Sequence, residues 1–288
     1  MRLFLIRHGE TVDNVAGVYA GTRDSPLTAH GALQARRLGT HLAGRAAAIG
    51  RVSHVFASDL RRAIETAQAV VDAQLAGADA ADGKAPPSLT IVQLRELRER
   101  DFGVAEGKKF AAGQGLEGAE SQRQMRLRAE GFVQSHLSPL LRSADGAAGS
   151  VVVVAHGLIL DSLLRVLLAR FAPGETAVLG DARMTGWSNT GYAELGVEVN
   201  SSLVAVSEGS GAVAAAAKVS GDRTPALPQP HVTLSLVGLN VLKHLEGLKK
   251  TRGGIGSAQF DKRQRTMDSF FGPATKKARV VEKELEET

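Results

Sequence analysis

Arg2-Leu3-Phe4-Leu5-Ile6 runs straight into Arg7-His8-Gly9-Glu10-Thr11 at the start of the chain. An apolar run this short, flanked by charge, predicts a buried strand of a parallel sheet. It stops on Arg-His-Gly, and in open α/β sheets ligands bind outside the carboxyl ends of the strands. Arg7 and His8 are therefore placed where a reactive pair belongs. The pattern returns at Val151-Val152-Val153-Val154-Ala155-His156-Gly157. Two buried strands that each deliver a His-Gly at the same end predict a phosphate-handling site built on two histidines.

Outward from these strands, the chain alternates helix and strand. A turn-rich loop over 12–26 precedes a helix opened by Leu27-Thr28, with Thr28 as N-cap and Ala35, Leu38, Leu42 and Ala46 at helical spacing. His54–Ala57 is a short strand that stops at Ser58-Asp59. The helix after it runs from Leu60 to about Leu75 and carries Arg61 and Arg62 in its first turn, a position suited to an anion. One of these two arginines is expected to be a solvated surface charge. A loop over 77–88 leads to a strand at Leu89–Val92. The charged segment Leu94–Gly107, taken alone, reads as a solvated helical face. One long helix is predicted over Glu120–Ser143, another over Leu158–Phe171, and further strands at 192–199, 203–206 and 232–236. This alternation predicts an α/β protein: a three-layer, doubly wound, mostly parallel sheet with helices on both faces. Residues 1–250 form the folded domain, with a low-complexity loop at 207–230 rich in Gly, Ala, Ser and Pro. From about residue 251 the order signal collapses, and 251–288 is expected to be a disordered tail.

Composition bounds the function. With 43% hydrophobic and 23% charged residues, the chain is ordinary for a globular protein. A net charge of +5 suits anionic substrates but is not the dense basic face of a dedicated nucleic-acid binder. Cysteine is absent, so no disulfide framework exists. No run approaches the ~18 apolar residues needed to span a bilayer, and no basic segment followed by an apolar one begins the chain. The expectation is a protein of the cytoplasm, the nucleus or both, without a membrane partner.

The residue types define the chemistry. Histidine can act as a nucleophile and divide one hard displacement into two through a covalent phosphoenzyme. A phosphoryl group in flight spreads negative charge over its oxygens and needs fixed cationic donors, which arginine supplies as a planar fork. A leaving alkoxide needs a carboxylic acid. The chain offers His8 as nucleophile, Arg7 and Arg62 as clamp, His156 as a second donor and Glu99 as acid. No cofactor or metal is required, and no ligand spacing points to a metal.

Arg7-His8-Gly9-Glu10-Thr11 with Asn14 resembles the signature of the histidine phosphatase (phosphoglycerate mutase-like) superfamily. Ser58-Asp59-Leu60-Arg61-Arg62-Ala63 is similar to its second arginine motif, which makes Arg62 the phosphate ligand. Gly118-Ala119-Glu120-Ser121 resembles its Gly-Gly-Glu-Ser/Thr element, with Ala119 in place of a glycine, and His156-Gly157 its second histidine. The resemblance implies phosphate binding by Arg7, Asn14, Arg62, His156 and Gly157. Within the superfamily, Leu97–Lys108 resembles the segment that carries the proton donor of TIGAR-type fructose-2,6-bisphosphatases, which falls on Glu99. Ser188-Asn189-Thr190-Gly191 and His244-Leu245-x-Gly247-Leu248-x-x-Thr251-Arg252 are similar to that group's C-terminal elements. The implied activity is hydrolysis of sugar bisphosphates such as fructose 2,6-bisphosphate, or of three-carbon phosphates. Phosphoglycerate mutase-type transfer is the alternative.

The tail carries a separate pattern. Gln264-x-x-Met267-x-x-Phe270-Phe271 resembles the PIP-box of peptides that bind the sliding clamp PCNA. A disordered segment can fold into a turn that gathers Met267, Phe270 and Phe271 into an apolar plug beside Gln264. Lys262-Arg263 and Lys276-Lys277-Ala278-Arg279 resemble a two-part nuclear localisation signal. A non-catalytic interaction protein that uses this tail is the alternative from another class.

Overall fold

The computed structural model describes residues 1–79, 88–111, 116–142, 149–172, 174, 186–200, 231–250 and 255–260. Six strands form one sheet: β1 (Arg2–Arg7), β2 (Val52–Ser58), β3 (Ile91–Leu94), β4 (Ser150–Ala155), β5 (Tyr192–Asn200) and β6 (His231–Val241). Their order is β3-β2-β4-β1-β5-β6. The first four are mutually parallel, and β5 and β6 add antiparallel to the edge beside β1. The helices are α1 (Val12–Ala16), α2 (Ala29–Gly44), α3 (Ala46–Ile49), α4 (Arg61–Asp79), α5 (Gln122–Phe132), α6 (Ser138–Arg142) and α7 (Gly157–Phe171).

The apolar runs of β1 and β4 explain the three layers. Side chains alternate faces along a strand, so a continuous apolar strand must be covered on both sides. Leu3, Leu5, Val151 and Val153 pack under α5, α6 and α7, around Phe132, Leu160, Leu163 and Leu167. Phe4, Ile6, Val152 and Val154 pack on the other face beneath α2 and α4, against Leu38, Leu42, Ala63, Ala67 and Val70. Each of these strand residues is fully buried, which contributes roughly 1.5–3 kcal/mol per large aliphatic side chain. Thr28 caps α2 as expected, accepting from Gly31 N. The parallel strands thus end at one edge, and the loops that leave all four of them carry candidate residues.

Several elements differ from expectation. The long helix over 120–143 is interrupted by a wide π turn at Val133–Leu137. Pro139 lacks the N–H that would bond one turn back, and its ring crowds that carbonyl, so the turn ahead of it widens. The charged stretch 94–107 is not a helix. It forms two single 3₁₀ turns, Arg95–Leu97 and Gly103–Ala105. Gly103 at φ +55° and Gly107 at φ +81° take left-handed turns that end any helical run. The loop over 12–26 begins with helix α1, and α4 extends past its expected end to Asp79.

The C-terminal boundary also moves. Ala258 O accepts from Ala29 N at 3.0 Å, Phe260 N donates to Leu27 O at 2.9 Å, and Gln259 bridges Thr28. Arg36 lies over the Phe260 ring at 5.3 Å. Residues 255–260, read as the start of the tail, therefore lie on the domain, as a 3₁₀ turn at Ile255–Ser257 followed by a strand-like pairing at 258–260. Short, polar and glycine-flanked, it carries too little apolar periodicity to register as an element. The strand expected at 203–206, the 207–230 loop and the 264–271 motif lie outside the described residues.

Candidate active site

The site forms because β1 and β4 are adjacent, parallel and in register. Arg7 pairs with Ala155, so the next residue on each strand is a histidine at the same level. His8 N donates to Ala155 O at 3.0 Å, and His156 becomes the N-cap residue of α7. The two imidazole centroids stand 5.0 Å apart. Both rings are buried, and burial together with the charges of Arg62 and Arg7 pushes both pKa values well below the usual imidazole range.

The hydrogen bonds then assign each tautomer. His8 Nδ1 lies 2.7 Å from Gly9 O, which can only accept, so Nδ1 carries the proton and Nε2 keeps a lone pair. Arg62 Nε, which can only donate, meets His156 Nδ1 at 3.1 Å. The neutral His156 ring therefore carries its proton on Nε2, a buried atom with no hydrogen-bond partner among the described residues. One ring offers an electron pair and its neighbour an N–H donor. That combination can receive an electrophilic, oxygen-rich group such as a phosphoryl.

Two buried arginines frame the pair. Arg62, in the first turn of α4, donates to Arg23 O and Gly21 O at 2.7 Å each, besides His156. All three acceptors are uncharged, so among the described residues the guanidinium charge is buried without a counter-ion in contact. Burial lowers its pKa to about 10, which still leaves it cationic at neutral pH. Arg7 donates to the Trp187 carbonyl, and its Nε is buried with no partner among the described residues. A buried cation without a touching anion is costly, and an anionic ligand removes that cost. Arg61, by contrast, is exposed and pairs with Glu65 at 2.9 Å. It is the solvated member of the two.

Glu99 follows β3 and the first 3₁₀ turn, and reaches the same edge. Its Oε2 accepts from Leu158 N at 3.1 Å and its Oε1 from Ile159 N at 3.2 Å, so it caps the start of α7. Arg100 N adds a third donor at 2.8 Å. Glu99 is also the leading charge partner of both Arg7 and Arg62. The carboxylate thus sits within the field of the clamp while occupying the helix terminus. Gly157 begins that helix, where an added Cβ would stand 3.8 Å from Glu99 Oε2. Asn14 uses its Oδ1 to accept from Asn189 Nδ2 at 3.0 Å and from Thr11 N at 3.1 Å, leaving its amide nitrogen to donate. Among the described residues, no group of three or more His, Cys, Asp or Glu side chains could hold a metal ion.

Several supporting residues were assigned no role from sequence. Thr66, one turn beyond Arg62, bonds Arg62 O at 2.7 Å and receives Gly9 N at 3.0 Å, tying α4 to the His8 loop. Its helical spacing from Arg62 was the available signal. Gly31 packs against that loop so tightly that a Cβ there would stand 2.0 Å from Glu10 O, and one on Gly9 2.6 Å from Gly31 O. Asn189 Nδ2 also donates to His8 O at 3.2 Å. These contacts are long-range, and no local pattern encodes them.

Known proteins resemble this chain in sequence and fold. The chain is 25% identical over 276 residues to the probable phosphatase C1620.13 of Schizosaccharomyces pombe, covering 92% of this chain and 78% of that one. It is 32% identical over 185 residues to the probable phosphoglycerate mutase GpmB of Enterobacter sp. (strain 638), covering 58% and 75%. Among solved structures, a mycobacterial glucosyl-3-phosphoglycerate phosphatase in complex with VO3 superposes with a TM-score of 0.53 at 25% identity, covering 68% of this chain and 91% of that one. Residues 3–194 match the family description itself. The chain belongs to the histidine phosphatase superfamily (branch 1).

Proposed function

We propose that the protein is a metal-independent phosphoric monoester hydrolase that acts on a small phosphorylated metabolite through a phosphohistidine on His8. The observation that carries this reading is the pair of complementary tautomers, 5.0 Å apart, between two cations that lack a touching anion among the described residues. His8 Nε2 attacks phosphorus, the bond from phosphorus to the ester oxygen breaks, and Glu99 gives its proton to the departing alkoxide. Arg7, Arg62 and the His156 Nε2–H hold the equatorial oxygens as their charge grows, with Asn14 and the α7 terminus at Gly157 beside them. A water then attacks the phosphohistidine, returns a proton to Glu99 and releases inorganic phosphate.

Sugar bisphosphates such as fructose 2,6-bisphosphate, and bisphosphoglycerate, are the substrate classes favoured by the TIGAR-like motifs. Phosphoryl transfer to a second hydroxyl is the second reading, supported by the relative named as a probable phosphoglycerate mutase. The deciding experiment is phosphate release from a panel of these esters, with chelator present, by wild type beside His8→Ala. Turnover lost in the variant supports the phosphohistidine route. Isomerised ester without free phosphate favours the mutase, and no turnover of any ester by folded wild type overturns both. Clamp binding through Gln264, Met267, Phe270 and Phe271 is a separate proposal resting on the sequence pattern. Titration of PCNA with wild type and a Phe270→Ala, Phe271→Ala variant tests it.

A further inference from the structure

Thr190 adopts φ +58° in the tight turn that leads into β5. A β-branched residue rarely occupies this left-handed region, so the surrounding contacts must hold it there. Its Oγ1 has one proton, which it donates to Asn189 O at 2.7 Å. Toward its other neighbour, His244 Nε2 at 2.9 Å, it can therefore only accept. The His244 proton is thus on Nε2. The ring is 6% exposed, and its Nδ1 is buried with no partner among the described residues. Burial lowers the His244 pKa to about 4, with nearby His41 adding to the effect, so the ring is neutral at neutral pH. A phenyl ring would fill this space beside Tyr192 and His41 without burying an unpaired nitrogen. Among the described residues, the polar contact that this histidine does make is the one to Thr190.

Thr190 in turn grips the nucleophile's backbone. Its N–H is shared between Arg7 O at 3.1 Å and His8 O at 3.2 Å, and Arg7 N donates to Gly191 O at 3.0 Å. Asn189 adds a second donor to His8 O. The peptide groups on both sides of His8 are therefore set by a turn whose conformation is fixed from behind by a residue 54 positions later. On the phosphohistidine reading above, we infer that His244 is a positioning residue for His8: its Nε2–H locks Thr190, and Thr190 locks the backbone that aims the His8 ring. It touches no substrate and acts through the turn.

The test compares His244→Phe, His244→Gln, Thr190→Val and Thr190→Ser with wild type and His8→Ala. Each is measured for kcat, KM, rate of phosphohistidine formation by rapid quench, melting temperature and hydrogen exchange at the Thr190 amide. His244→Phe is expected to melt at or above the wild-type temperature and keep KM within about twofold, while phosphohistidine formation slows about ten- to a hundredfold. Thr190→Val gives the same loss, and the double variant adds nothing further. His244→Gln, which keeps a donor at the same reach, recovers most of the rate, as does Thr190→Ser. Exchange at the Thr190 amide rises at least about tenfold in His244→Phe. Wild-type kinetics and exchange in His244→Phe overturn the inference, as does a loss that tracks melting temperature and is not rescued by glutamine. If wild type makes no phosphohistidine, the functional reading has failed instead, and amide exchange alone decides whether His244 holds the turn.

Discussion

Arg62 Nε donates to His156 Nδ1 across 3.1 Å, so a buried cation selects the tautomer of a buried base. Arg62→Lys keeps the charge but presents no fixed fork, and it cannot hold the Gly21 and Arg23 carbonyls and the ring together. His156 is then free to carry its proton on either nitrogen. The expected result is a fall of about 10²–10³ in kcat, the scale for losing one aimed donor. Spectra of ¹⁵N-histidine-labelled protein should show His156 protonated at Nε2 in wild type and a tautomer mixture in the variant.

The buried histidines set the pH dependence of stability. Their folded pKa values lie below the ordinary 6.5, so the fold holds them neutral. As pH falls through about 6.5, the unfolded chain takes up protons that the folded chain excludes, and stability is lost in that direction. Each fully buried ring contributes up to about 1.4 kcal/mol per pH unit until its folded pKa is reached. Denaturant midpoints should therefore fall steadily from pH 7 to pH 5, and His8→Gln should flatten the slope by one proton. The acid limb of kcat/KM should lie well below pH 6.5, because His8 stays unprotonated there.

Glu99 gives a prediction that depends on the leaving group. If it protonates an alkoxide, Glu99→Gln slows phosphohistidine formation from sugar phosphates by about 10²–10⁴ but barely affects its formation from an aryl phosphate, whose leaving group needs no proton. The same carboxylate caps α7 through Leu158 N and Ile159 N, so Glu99→Ala also costs about 1 kcal/mol of stability. Equal losses on both substrates would assign Glu99 to the cap alone.

The legible parts of this molecule were the local ones. Two apolar runs ending in His-Gly predicted two buried parallel strands that deliver their histidines to the same end, because burial on both faces leaves its mark residue by residue. Arg61 and Arg62 could not be separated by helical position alone, since both fall in one turn. Packing separates them, with Arg62 turned to the sheet and Arg61 to Glu65. The turns around Glu99 were hidden because charge density imitates a solvated helix, and only the φ values of Gly103 and Gly107 break it. Thr66, Thr190 and His244 serve the His8 loop from 57 or more positions away, through contacts that exist only once the sheet has formed.

Close backbone approach at the His8 loop gives a steric prediction. Gly9→Ala places a Cβ 2.6 Å from Gly31 O, and Gly31→Ala one 2.0 Å from Glu10 O. Neither obstacle is a flexible side chain, so the loop must move, at about 1–3 kcal/mol and with loss of His8 alignment. Gly157→Ala meets nothing closer than 3.8 Å and should fold as wild type does. Melting curves and circular dichroism on the three variants check the contrast.

The segment 255–260 yields the last prediction. It gives Leu27 and Ala29 their backbone partners, places Gln259 beside Thr28, and lays Phe260 under Arg36. Thr28 in turn donates to Glu10 Oε1 at 2.8 Å, and Lys250 holds Glu10 Oε2 at 2.5 Å. The C-terminal segment therefore braces the residue two positions after His8. A chain ending at 260 should melt higher than one ending at 254. The difference should reach about 1–3 kcal/mol, from two backbone hydrogen bonds and one cation–π contact. The shorter chain should also lose turnover beyond its loss of stability, because Leu27 and Thr28 are freed beneath Glu10. Phe260→Ala in the longer chain should reproduce a smaller part of the melting shift with little change in rate. Identical melting of the 254 and 260 chains would mean that the segment merely rests on the domain.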